Sequence, residues 1–472
     1  MGMAGEEFSR HDRQHIVDQL SAIAGAEWVS VDSERIVDYL TDETGPPVTP
    51  EPSPAQILVK PANAGQLASV LRLANESGTP VFPRGGGTGL CGGAVPTAPG
   101  IILSLERLRS FTIDRDNLMA TAGAGVTLRE LIERVEAAGL FFPPHPGDES
   151  AQVGGLVACN AGGARAVKYG VMRSYVKGME VVLASGDVLR LGGHLIKNNT
   201  GFDLMHLIIG SEGALGVITE VTLRLYSPPH SSCTMIIPFD DRHAAINAVP
   251  EILRSGITPL AIEYMERDLV EMSAEQLGLE WPCKTGTAYL MFIVDGESDS
   301  NIHSQCTLIH DISRRHSCLE PLIGQSRREQ DRILRIRSNI YTSLKRDLAD
   351  ALDVAVPPAS MGDLMDSIDR IAERFGTRIP TCGHAGDGNL HPTLMKDLLD
   401  GGGQRLKEAK RAIYEEALRL GGTMTGEHGV GKIRTTELDI FLGPVQRGLT
   451  QAIKKVFDPR GILNPGCAVP PE

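Results

Sequence analysis

Two short segments near the C-terminal end carry the residues best suited to chemistry. They are Gly383-His384-Ala385-Gly386-Asp387-Gly388-Asn389-Leu390-His391 and Gly426-Glu427-His428-Gly429-Val430-Gly431-Lys432. Asp-Gly between extended flanks is the strongest short-range signal for a two-residue type I′ hairpin turn. With Asp387 and Gly388 as the turn, pairing runs 386 with 389, 385 with 390 and 384 with 391. His384 and His391 then face each other with Cβ atoms roughly 4.5–5.5 Å apart, close enough for two imidazoles to share a metal ion. Glu427 can supply a third ligand, which makes two neutral nitrogens and one carboxylate with open positions for a substrate. That donor set suits Zn, Mn or Fe(II) alike. The competing reading is a pair of hydrogen-bonded strand-end histidines. Against it, two facing imidazoles without a metal repel once protonated.

The elements that must position these residues follow from hydrophobic period and caps. The spacing predicts an amphipathic helix over 9–25, a strand at Ile57-Leu58-Val59-Lys60-Pro61, and a helix from Ala64 to Ser77 closed by Gly78. Thr127 with Glu130 three residues on is a capping box that opens a helix to Ala138. Strands are expected at 79–83, 101–105, 119–122, 181–184 and 217–225. Beyond Ser227-Pro228-Pro229-His230, the best linker, helices and strands alternate over 241–255, 266–278, 287–295, 300–316, 326–349, 362–376 and 403–420, with Leu352–Val356 as a strand. The pattern is α+β, a ligand-binding domain to about 227 and a mixed domain after it.

Glycine is concentrated in loops among apolar residues: Arg84-Gly85-Gly86-Gly87-Thr88-Gly89-Leu90, then Pro146-Gly147-Asp148 with Gly154 to Gly163, then Gly210 to Gly216. Such loops bring backbone N–H groups against a ligand. Gly87-Thr88-Gly89-Leu90-Cys91-Gly92 matches G-x-G-x-x-G, with Glu106 19 residues past Gly87. It is not a dinucleotide fingerprint, because Pro96, Pro99 and Gly100 follow where a helix is required. Three such loops fit one long cofactor better than one phosphate.

The length of 472 residues requires more than one domain. A net charge of −13, with aromatics at only 4%, makes nucleic acid and anionic membrane poor partners. The eight cysteines form no C-x-x-C pair, which disfavours an iron–sulfur cluster and reads as reduced thiols. The first thirty residues lack an apolar signal segment and no apolar run reaches membrane-spanning length, so a cytoplasmic protein without a transmembrane segment is expected.

At Pro83 to Leu90, Gly154 to Gly163 and Gly210 to Thr219 the chain resembles the flavin-binding segments of the vanillyl-alcohol-oxidase superfamily, the p-cresol-methylhydroxylase type. The two C-terminal segments, with Phe457-Asp458-Pro459-Arg460-Gly461-Ile462-Leu463-Asn464-Pro465-Gly466, resemble its FAD-dependent D-2-hydroxyacid dehydrogenase branch. That branch holds D-lactate dehydrogenase, the glycolate oxidase flavoprotein subunit and D-2-hydroxyglutarate dehydrogenase. The resemblance covers about 50 to 469. It implies an N-terminal helical extension over 1–50, an FAD-binding domain of two subdomains over 51–227, a mixed α+β substrate (cap) domain over 228–425, and a C-terminal helical segment over 426–472 that returns to the flavin.

It also implies roles for residues. The flavin-contacting positions are Arg84, Gly85, Gly86, Gly87, Thr88, Gly89 and Leu90; Pro146, Gly147 and Asp148; Gly154, Gly155, Asn160, Gly162 and Gly163; Gly210, Glu212, Gly213, Gly216, Val217 and Ile218; and Asn464. Some relatives tether FAD to a histidine in the first glycine loop. Gly85-Gly86-Gly87-Thr88 has none, so FAD is expected to be non-covalent. His384, His391 and Glu427 become ligands of a divalent metal, Zn first with Mn and Fe also fitting, and His428 the base. Arg337 matches the arginine that holds the substrate carboxylate, with Arg335 as its rival, because the usual flanking Trp and Glu are absent. Cys467 stands where relatives carry Lys.

The implied reaction is oxidation of D-lactate, glycolate or D-2-hydroxyglutarate to the 2-oxo acid. Hydride passes to flavin N5 and electrons pass on to an acceptor protein or quinone. A homodimer also fits. The alternatives are a non-redox flavoenzyme of the alkyl-dihydroxyacetonephosphate synthase type and an electron-transfer subunit of a larger complex. Thr425-Gly426-Glu427-His428, in place of a run of histidines, weighs against the first.

Overall fold

The computed structural model describes residues 10–470 apart from residue 325. Local signals carry through where short-range bonding decides. The helix Ala64–Ser77 starts on the Asn63 side chain, which accepts from the Gln66 N–H, and ends at Gly78 with φ 69°. The helix Leu128–Ala137 has the full Thr127/Glu130 capping box. The first helix is Arg10–Ala24; residue 9, where it was expected to begin, lies outside the described residues.

Two expected elements differ. The stretch 326–349 is not one helix but Arg327–Ser338 and Ile340–Leu344, followed by the strand Leu348–Ala351. A neighbouring helix, Arg267–Gln276, makes the break. Its Ser273 Oγ donates to the Ile336 carbonyl at 2.6 Å, and Asn339 Nδ2 donates to its Gln276 Oε1 at 2.9 Å. The expected strand 352–356 is reduced to Val354–Ala355. It pairs with Asn389–Met395, as Leu348–Ala351 also does, and Asp353 falls between the two pairings.

Three sheets form. A four-stranded one runs in the order Val29–Ser30, Gln56–Val59, Gly100–Ser104, Val81–Arg84, with the last three parallel. A five-stranded antiparallel one runs Phe111–Asp114, Met119–Gly123, Val217–Arg224, Val176–Val182, Val188–Gly192. The third, eight-stranded and antiparallel, is built wholly from residues after 230 and contains the histidine hairpin. Leu463 pairs back with Val81, so the chain end rejoins the first sheet. Among the described residues no helix is long and apolar enough to cross a membrane. All eight cysteines are unpaired.

The eight-stranded sheet has apolar packing on both faces, and strand alternation sorts its residues. Ile262, Tyr264, Leu390 and Val354 belong to one core. Met265 and Cys382 belong to the other, beneath Arg267–Gln276 and Arg327–Ser338. By the same alternation Glu263, His384, Asn389, His391 and Asp353 all point to the second face. Three strands, with Asp353 from the gap between two others, thus deliver polar side chains to one place.

Candidate functional site

Thr381–His384 pairs with Asn389–Met395 in a register two residues from the expected one. His384 stands opposite Asn389, and His391 opposite Cys382. The loop is four residues, 385–388. A type I′ turn needs φ > 0 at both central residues, and of the two only Gly388, at 85°, has it. The Gly386 N–H instead bonds the Ile262 carbonyl of the next strand at 3.0 Å. A shift of two keeps side chains on the same face. The histidines are therefore diagonal neighbours, their rings 5.4 Å apart and perpendicular at 89°.

Glu427 is the centre of the cluster. Its Oε1 lies 2.9 Å from His384 Nε2, 3.7 Å from His391 Nε2 and 3.9 Å from His428 Nε2. His391 and His428 stack, 4.9 Å between centroids and 8° between planes. Behind His384, Nδ1 meets Glu263 Oε1 at 2.7 Å, and Glu263 in turn takes Arg337 Nε at 2.6 Å and Nη2 at 2.5 Å. Arg335, on the same helix, is exposed. Behind His391 and His428 stands Asp353, whose Oδ1 is 3.5 Å and 4.0 Å from their Nδ1 atoms.

Burial would push the Glu427 carboxyl up, but the charge and hydrogen bond of His384 hold it far below the usual carboxylate range. Burial is likewise overridden at Glu263, which Arg337 and His384 bring down to about 2. His384 is raised well above its ordinary value, against burial, by Glu263 and Glu427. His391 is brought down to about 3, by burial and then by the charge of His428. The donors fit a divalent cation. Three imidazole nitrogens converge on one carboxylate oxygen, and His391 Nδ1 and His428 Nδ1 are buried without hydrogen-bond partners. A compact set of four donors, from Asp353, His391, Glu427 and His428, lies within 4.8 Å of one another and omits His384.

The glycine loops converge beside this cluster. A Cβ on Gly162 would lie 2.7 Å from Glu427 Oε2, so only glycine lets the loop pass so close. A Cβ on Gly85 would lie 3.8 Å from Gly155 Cα, one on Gly86 3.0 Å from the Ser150 carbonyl, and one on Gly213 3.2 Å from Pro83. The Glu212 and Gly210 N–H groups donate to the Ala158 and Val157 carbonyls, and Gly163 sits against the His145 carbonyl. Two buried acceptors beside the first loop have no donor: Gln152 Oε1, 3.7 Å from a Gly85 Cβ, and Asp42 Oδ2, 3.8 Å from a Gly89 Cβ. Orphaned buried acceptors beside this glycine loop fit a ligand rich in hydroxyl and amide donors, as FAD is.

Several residues named for the cofactor have other partners. Arg84 is buried and donates to the Thr41 and Asp38 carbonyls at 2.7 and 2.9 Å. Glu212 accepts from the Val430 and Gly431 N–H groups, 2.9 Å each, and so holds the loop after Glu427. Asn464 donates to the Gly93 and Glu212 carbonyls and accepts from Lys432 Nζ at 2.7 Å. Asn160 Oδ1 accepts from the Arg173 N–H. Asp148 Oδ1 accepts from Ser150 N–H and Oγ–H at an exposed turn beside Gly147. Val217 and Ile218 are core residues, Pro146 and Gly154 are buried, and Thr88 and Leu90 are half-buried. A Cβ on Gly216 would lie 2.6 Å from Val181 Cγ1, while Gly87 abuts Arg84. Glu106 pairs with Lys60 and Tyr39, away from any role on a ribose.

Sequence reasoning missed Asp353 and Glu263. The signal was present, since each is an acid with apolar or aromatic residues on both sides, Leu352-Asp353-Val354 and Ile262-Glu263-Tyr264. A carboxylate almost never stays buried unpaired.

Comparison with known proteins gives consistent matches. Residues 55–192 match the family described as FAD binding domain, and 228–467 the family described as FAD linked oxidases, C-terminal domain. The chain is 40% identical over 431 residues to a D-lactate dehydrogenase of Archaeoglobus fulgidus, covering 91% of this chain and 95% of that one. It is 36% identical over 416 residues to the glycolate oxidase subunit GlcD of Bacillus subtilis, covering 87% and 88%. Among solved structures, p-cresol methylhydroxylase with substrate bound superposes with a TM-score of 0.77 at 17% identity over 98% of both chains. The 4-ethylphenol oxidase of Gulosibacter chungangensis does so at 0.78, 18% and 99% of both. The fold is that of p-cresol-methylhydroxylase-type flavoproteins.

Proposed function

Because this chain belongs to the FAD-linked oxidases, we propose that it oxidises a D-2-hydroxy acid, with D-lactate, glycolate and D-2-hydroxyglutarate as candidates, to the 2-oxo acid. The carrying observation is the convergence of three imidazole Nε2 atoms on Glu427 Oε1, beside a glycine loop that touches the same carboxylate at Gly162. The named relatives, a D-lactate dehydrogenase and a glycolate oxidase subunit, support the same substrate class.

Bound FAD would supply a two-electron acceptor for the Cα hydride, and a divalent metal a Lewis acid that lowers the hydroxyl pKa. His384, His391 and Glu427 would hold the metal, Zn, Mn or Fe(II) by donor type. The glycine loops would hold FAD without a covalent tether. His428 takes the hydroxyl proton at Nε2. Arg337 binds the substrate carboxylate through its Nη edge, since its Nε side is on Glu263. A separate acceptor protein or quinone would take the electrons. The test is anaerobic mixing of the purified flavoprotein with D-lactate, L-lactate, glycolate and D-2-hydroxyglutarate. At least one of the three candidate acids is expected to bleach the flavin within the mixing experiment, and L-lactate to leave it oxidised. A flavin that stays oxidised with all four overturns the proposal.

A further inference from the structure

We infer that Asp353 is the positioning residue of the metal cluster: from behind, and not as a ligand, it fixes the Nε2 lone pair of His391, a ligand, and of His428, the base. The inference rests on the metal reading above and deepens it. Asp353 is fully buried, in the gap between the strands Leu348–Ala351 and Val354–Ala355. Its Oδ2 accepts from Thr425 Oγ at 2.7 Å, the Glu427 N–H at 2.9 Å and the His428 N–H at 2.7 Å. Its Oδ1 accepts from Asn389 Nδ2 at 2.9 Å. Its own carbonyl accepts from the Gly426 N–H at 2.8 Å. One side chain therefore carries the backbone of both Glu427 and His428, with its oxygens already engaged by four donors. That leaves it poorly placed to turn toward a cation.

The remaining face of Oδ1 looks onto His391 Nδ1 and His428 Nδ1, at 3.5 and 4.0 Å. Neither nitrogen has a hydrogen-bond partner. A carboxylate beside Nδ1 favours the tautomer with the proton on Nδ1, which leaves the lone pair on Nε2. Both Nε2 atoms face Glu427 Oε1. Glu263 stands in the same relation to His384 Nδ1, at 2.7 Å. Each of the three imidazoles thus has an acid behind it and Glu427 in front.

The test uses the FAD-loaded protein stripped of metal with a chelator, nitrogen-15 labelled at histidine. Side-chain nitrogen shifts of His391 and His428 are expected to report Nδ1–H. Zn²⁺ and Mn²⁺ affinities, read by chelator competition, are expected to fall about 10–100-fold in Asp353→Asn, the usual effect of losing a partner behind a ligand. Thr425→Val, which keeps the carboxylate and removes one donor to it, is expected to lose less. Nε2–H on both rings of the wild-type protein overturns the inference, and so does Zn²⁺ affinity in a folded Asp353→Asn equal to wild type. Should Asp353→Asn fail to fold, the wild-type spectrum still decides. Neither readout needs turnover, so a failed hydroxy-acid screen and a failed tautomer assignment are separate results.

Discussion

Arg337 has one guanidinium edge to offer a substrate, because Nε and Nη2 already hold Glu263. Truncation to Ala would strand a buried carboxylate and confuse binding with stability. Arg337→Lys keeps a cation near Glu263 but loses the planar fork. It is expected to raise KM at least tenfold with FAD content unchanged, a binding loss of order 2 kcal/mol by the cost of losing one partner of a buried charge pair. Arg335→Ala, on the exposed side of the same helix, is expected to be silent in the same assay. The reverse pattern would move the carboxylate site two residues upstream. His428 and Glu427 are adjacent yet separable. His428→Asn is expected to slow flavin reduction roughly 10²–10⁴-fold, the usual loss on removing a general base, while metal stays bound. Glu427→Gln should lose metal as well. Rapid mixing combined with metal analysis reads both, and equal metal loss in the two variants would make His428 a ligand instead of a base.

At the scale of elements, the hairpin loop is held both by its own turn bond, Asp387 N–H to the His384 carbonyl at 3.2 Å, and by its surroundings. Gly388 has φ 85°, and a Cβ there would run into the Val356 carbonyl. Gly421 has a similar φ of 78° with nothing within 4 Å of a Cβ. The two separate backbone strain from collision. Gly421→Ala is expected to cost about 1–2 kcal/mol, the price of a left-handed conformation with a Cβ. Gly388→Ala should cost more than Gly421→Ala and also weaken metal retention, since His384 and His391 flank the loop. Denaturant unfolding with metal analysis checks it. Equal stability losses in the two variants would mean that Val356 yields freely and the hairpin is not rigid.

Over the whole molecule, residues far apart in the chain close one site. Gly93, Glu212, Lys432 and Asn464 are joined by the Lys432 and Asn464 side chains, so two glycine loops, the Glu427 loop and the chain end are mutually bonded. Lys454 adds bonds to the Ala214 and Leu463 carbonyls. Cofactor retention should then depend on the whole fold and not on a covalent bond. Acid or heat is expected to release FAD intact into the supernatant of the precipitated protein. Flavin that stays with the polypeptide pellet would contradict this.

The sequence by itself determined what short-range bonding and period control. The Thr127 capping box, the Gly78 helix end, the glycine loops and the placement of His384 and His391 on one face could all be read without coordinates. Each depends on residues within a few positions, and side-chain alternation survives a register shift of two. The tertiary structure alone decided the register itself, because the Ile262 carbonyl on a neighbouring strand captures the Gly386 N–H. It placed Arg337 against Glu263, 74 residues away, and Arg335 on the exposed side of the same helix. It also decided that Arg84 serves the carbonyls of 38 and 41, that Ser273 ends a helix at 338, and that Asp353 stands behind two imidazoles. Buried polar groups must find partners wherever folding puts them, and a linear pattern marks such a group without naming its partner.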